Sequence, residues 1–153
     1  MRLFLALVVG YLVTFLLVFG LFTAAWYALG AERSFEPGSF EVSPLWIGVS
    51  TALGFLAAVG GGCTARAIGR TVGAVRGLAI LLFVLGALMT IPALLPGAGE
   101  SEVRDPGLSM MDAMNKARTP PLAAILNPIV GAAGVLVGGR RKGDGKPPEA
   151  APL

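Results

Sequence analysis

Residues 3–29, LFLALVVGYLVTFLLVFGLFTAAWYAL, contain no Asp, Glu, Lys or Arg. A helix rises about 1.5 Å per residue, so this run can cross roughly 30 Å of hydrocarbon with residues to spare. Within that layer every backbone amide must find a partner inside its own segment, which selects a helix. Read outward from this stretch, the chain offers three more charge-free runs of spanning length: 44–65, 77–95 and 121–139. The fold class that follows is an all-α integral membrane protein of four transmembrane helices in an antiparallel bundle.

The first run also resembles a secretion signal, because Arg2 precedes it and small residues close it. Its length argues for retention, since a signal core is about 7–15 residues. Trp26 and Tyr27 near its far end, with Trp46 near the start of the second span, form an interfacial aromatic belt.

Composition supports the same solvent. Of 153 residues, 55% are hydrophobic and 14% charged, well below the quarter charged of a soluble domain. There is no His and a single Cys, Cys63. Most metal sites, Ser/His/Asp or Cys/His catalysis and internal disulfides therefore lack their usual parts. No cofactor is implied, and neither a phosphate loop nor a basic and aromatic array for nucleic acid is present.

Charge orients the bundle, because Lys and Arg of short loops stay on the cytoplasmic side. One side holds Arg2, Arg66, Arg70, Arg76, Arg140, Arg141, Lys142 and Lys146, with only Asp144 and Glu149 as acids. The other holds Arg33, Arg104, Lys116 and Arg118 together with seven of the nine acids. Both termini are expected in the cytoplasm of a bacterium, with the chain in its inner (plasma) membrane. Arg66, Arg70, Arg76, Arg140, Arg141 and Lys142 are expected among anionic lipid headgroups, each worth about 1 kcal/mol at most.

Lipid removes the hydrophobic drive between helices, so small residues mark the closest contacts. Asn127, Gly131, Gly134 and Gly138 share one face of the fourth span, and Gly54, Ala58 and Gly62 share one face of the second. These two faces are expected to meet each other or a copy in a neighbouring subunit. Asn127 is the most polar side chain in any span, and its amide is expected to bond across helices or to the carbonyl freed by Pro128. The run Gly60–Gly62 reads as a helix end with tight packing.

Outside the spans, residues 106–118 read as a short surface helix, with Asp105 as cap and Pro106 at its first turn. Met110, Met111 and Met114 on that helix offer soft sulfur to Cu(I), although methionines at helical spacing are ordinarily packing material; no metal is assigned. Residues 140–153 are rich in Gly and Pro without apolar periodicity, the pattern of a disordered tail. Residues 16–32 and 82–100 share a mid-helix Gly, a nearby Thr and an exit in Gly and Glu, which suggests two tandem helical hairpins.

The four-span layout is similar to that of small multidrug exporters, but their acidic residue in the first span has no counterpart between Leu3 and Leu29. No span carries an ionisable group of the kind that proton- or cation-coupled transport uses. Two non-enzymatic readings follow. One is a structural or accessory subunit packing against itself or another membrane protein. The other is a passive channel or carrier for a neutral or lipidic solute, lined by Thr14, Thr23, Thr51, Thr90 and Asn127.

Overall fold

A computed structural model of the chain describes residues 1–94 and 110–140, with the side chains of residues 92, 93, 110, 113 and 114 outside that description. Five helices are described: α1 (Arg2–Ser34), α2 (Pro44–Gly69), α3 (Val72–Leu94), α4 (Met110–Lys116) and α5 (Pro121–Gly138). All but α4 are long and apolar enough to cross a membrane, and they pack together as an antiparallel bundle.

The helices outrun the charge-free windows, because loss of hydrocarbon does not end a helix. α1 continues past Leu29 across a kink at Gly30, whose φ of 70° and ψ of 172° suit glycine alone. α2 does not close at Gly60–Gly62 as the sequence suggested. It runs on to Gly69 and stops at Arg70, which takes the left-handed φ of 54° with its N–H donating to the Arg66 carbonyl. The glycines are where neighbouring helices touch, and that contact keeps the backbone helical through them. The basic link to α3 is thereby reduced to Arg70 and Thr71, and Arg76 lies within α3 rather than ahead of it. The surface helix begins within the described residues at Met110; its expected first turn, the other residues of 95–109, and 141–153 lie outside them.

Packing density differs between the two ends of the bundle. At the basic end, which carries Arg2, Arg70 and Arg76, Ala58, Ala65, Val75, Leu78, Ala79 and Val135 form a buried cluster joining α2, α3 and α5. α1 closes on it where Leu78 lies against Gly10 and Leu7 against Gly77. α2 packs most extensively on α1 and α5, and α5 lies between α2 and α3. Thus α2 and α3, although consecutive, are not each other's main partners.

At the opposite, aromatic end the chain folds a small cap. Phe35 and Val42 pair as an antiparallel bridge, and Glu41 pairs in parallel with Arg118. Val42 N–H donates to the Arg118 carbonyl at 3.0 Å and Arg118 N–H to the Phe40 carbonyl at 2.8 Å. Ser43 starts α2: its Oγ accepts from Trp46 N–H at 3.1 Å and donates to the Arg33 carbonyl at 2.6 Å, a helix N-cap that also fixes the end of α1. Trp26 stands edge-on to both Phe35 and Trp46, and Lys116 Nζ sits 5.3 Å from the Phe40 ring centre. Phe35 and Phe40 are buried here.

The likeness between residues 16–32 and 82–100 does not carry over to contacts. A Cβ placed on Gly20 would have no atom within 4 Å, whereas one placed on Gly86 would lie 3.1 Å from the Pro128 ring.

Candidate functional site

The small residues of α2 and α5 fall into two groups. A Cβ on Gly62 would collide with the Val135 backbone, and one on Gly138 with the Val59 backbone. One on Gly134 would lie 2.8 Å from both Ala58 Cβ and the Phe55 carbonyl oxygen. Ala58, Gly62, Gly134 and Gly138 are therefore brought together along one seam within a single chain. That seam is occupied by the chain itself and is not free to meet a second copy. Gly54 and Gly131 have nothing within 4 Å of an added Cβ. With Asn127, they turn away from the seam and border a cavity of about 520 Å³, inside the range of about 300–1,000 Å³ typical of small-molecule sites.

Each spanning helix contributes a wall. α1 supplies Thr14, Val18 and Phe22; α3 supplies Leu82, Gly86, Met89 and Thr90. α2 supplies the stretch from Trp46 to Ala58, and α5 that from Ala123 to Gly131. The twelve helical steps of α2 from Trp46 to Ala58 correspond to a depth of about 18 Å. Thr14, Ala58 and Leu82 form the floor, directly above the dense cluster of the basic end. Val42, Trp46 and Thr119, from the cap and its flanks, form the roof.

Among the described residues no charged side chain lines this space, and the polarity of the described lining comes from hydroxyls and one amide. Some of these groups are already engaged. Thr14 Oγ1 donates to the Gly10 carbonyl at 2.9 Å, and Ser50 Oγ to the Ile47 carbonyl at 3.2 Å. Thr90 Oγ1 lies 2.9 Å from the Gly86 carbonyl and 3.0 Å from the Ala124 carbonyl, tying α3 to α5. Thr51 and Asn127 make no hydrogen bond with another described residue. Asn127 thus satisfies neither a neighbouring helix nor the carbonyl freed by Pro128, as the sequence suggested; Pro128 is itself buried against Gly86. Of the five residues expected to line a solute path, Thr14, Thr51, Thr90 and Asn127 do so here, and Thr23 does not. The buried Thr23 hydroxyl has no hydrogen-bond partner.

The sequence did not reveal the roof. Phe35, Phe40, Val42 and Arg118 lie in short irregular segments, and the one available signal was the aromatic spacing of Trp26, Phe35, Phe40 and Trp46.

At the basic end, Arg70, Arg76 and Arg140 are exposed and Arg66 is partly buried. Cys63, Arg66, Ala67, Arg70 and Gly138 surround a shallow depression there, and Cys63 Sγ donates to the Gly138 carbonyl at 3.1 Å. Arg141 and Lys142 lie outside the described residues. Of the three methionines considered for copper, Met111 is exposed, and the side chains of Met110 and Met114 are outside the description.

The fold and site define a small multi-pass membrane protein with four spanning helices and, among them, a cavity whose described lining carries no charged residue. Comparison with protein families, curated proteins and solved structures finds no match.

Proposed function

We propose that this is a non-enzymatic protein of a bacterial inner membrane that holds an uncharged small molecule between its helices, the binding step that a carrier for a neutral or lipidic solute requires. The observation that carries this reading is the Asn127 amide, without a hydrogen bond to another described residue, at the wall of a cavity with no charged residue among its described lining. Asn127 is exposed on the described bundle; where hydrocarbon meets it, an unpaired polar group costs about 2–7 kcal/mol, so an occupant that bonds to the amide is favoured. An ionised occupant is disfavoured, because no counter-charge stands among the described wall residues.

The accessory-subunit reading loses its best docking surface, since Gly62, Gly134 and Gly138 are covered within the chain. The closed floor speaks against a continuous open pore and in favour of a one-sided binding state. Bacterial origin rests on the preference for Arg over Lys and the abundance of Ala and Gly. A cytoplasmic basic end rests on the charge bias of the loops, with anionic headgroups around Arg66, Arg70, Arg76 and Arg140.

Native mass spectrometry of protein extracted in mild detergent tests the reading. One uncharged molecule retained per chain, and absent from Gly131→Leu, is the expected result. A stoichiometric membrane-protein partner with an empty cavity would support the accessory role in its place.

A further inference from the structure

The cavity is partly open. Its roof is Val42, Trp46 and Thr119, and its floor is Thr14 and Ala58. α2 and α5 form a continuous back wall, joined by the glycine seam. The front differs. α1 fully buries Ala6, Gly10 and Thr14, and its residues from Phe15 to Arg33 are partly buried or exposed, packing chiefly on α2. Its contacts with α3 at Gly10 and Leu7 lie at the basic end. Beyond them, Val18 and Phe22 on one side and Met89 on the other border the same space, with Met89 77% exposed. This opening therefore faces the side of the bundle, where a membrane protein meets lipid and not water.

We infer that the cavity takes a bilayer-resident, uncharged amphiphile that enters sideways between α1 and α3 and bonds its hydroxyl or amide head to Asn127. The inference rests on the binding reading above and adds the ligand class and the route. Head position follows from chemistry: Asn127 and Thr51 carry the unbonded donors and acceptors, and both lie nearer the tryptophan end than the floor. The apolar tail follows from the deeper walls, Val18, Phe55, Ala58 and Leu82. Sideways entry lets such a molecule reach the site without its tail crossing water.

Photolabelling in phosphatidylcholine vesicles tests this with two uncharged diazirine probes: a long-chain alcohol, which resides in the bilayer, and a short diol, which resides in water. The alcohol is expected to label peptides containing Met89–Thr90 and Asn127–Gly131. Labelling should saturate, and unlabelled alcohol should compete at least tenfold better than the matching fatty acid at a pH where the acid is ionised. Gly54→Leu and Gly131→Leu, each judged folded by circular dichroism and gel filtration, should lose the saturable labelling at least tenfold. Labelling by the diol alone would overturn the lateral route and ligand class while leaving the binding reading standing. Labelling by neither, or alcohol labelling that never saturates and spreads over the outward residues Phe15, Phe19 and Leu88, would overturn both.

Discussion

Gly62 and Gly54 lie on one helix, eight residues apart, yet a methyl group at the two positions has opposite consequences. At Gly62 it meets the Val135 backbone, which cannot step aside without parting α2 from α5. Overpacking of this kind costs typically about 1–3 kcal/mol, so Gly62→Ala should lower the thermal midpoint in detergent by several degrees. At Gly54 and Gly131 the methyl meets open space, and replacing a mid-helix glycine by alanine is worth roughly 0.5–1 kcal/mol. Gly54→Ala and Gly131→Ala should therefore raise the midpoint, and a drop at either would show that the cavity wall is packed more tightly than described. Spacing by four located all these glycines, because such residues share a helix face. It did not separate them, because whether a face meets a helix or a void depends on the splay of helices distant in sequence. The Thr90 hydroxyl gives a smaller effect. Thr90→Val removes the contact with the Ala124 carbonyl, and interhelical hydrogen bonds in membranes average about 0.6 kcal/mol, so a loss of that size is expected in unfolding by denaturing detergent.

Helix ends carry the local backbone strain. Arg70 closes α2 in the left-handed region, which costs a residue with a side chain roughly 1–2 kcal/mol and which glycine adopts freely. Arg70→Gly should stabilise the detergent-solubilised protein by up to that amount, and Arg70→Ala should not; equal responses would mean that charge, not backbone, governs the position. Gly30 is the mirror case, since its φ of 70° belongs to glycine. Gly30→Ala is expected to cost about 1–3 kcal/mol and to loosen the cap, with Trp26 fluorescence shifting to the red as its contact with Phe35 is lost. Neither end was legible in advance. A charge-free window reports where hydrocarbon begins and ends, and α1, α2 and α3 all carry charged residues within their helical bounds. The four spans themselves were legible, because 3–29, 44–65, 77–95 and 121–139 are long, apolar and separated by charged segments.

With an even number of spans, both ends of the described chain lie on the same side of the bundle, at the basic end. Its orientation in the cell is open to direct measurement. In a Cys63→Ala background, a cysteine at Ser39 should react with an impermeant maleimide added to intact spheroplasts, and one at Arg140 only after permeabilisation. The reverse pattern would invert the charge-based assignment. The arrangement of helices also bears on how the protein is made. Of the described helices α5 leaves the ribosome after the others, yet it lies between α2 and α3 and is α3's most extensive partner. Until it arrives, α1 and α2 can already form a glycine-tight hairpin, while α3 waits with little to hold it. Chains halted before residue 121 should therefore be recognised by membrane proteases at their third span, and quality control of this protein becomes a matter of whether α5 has docked.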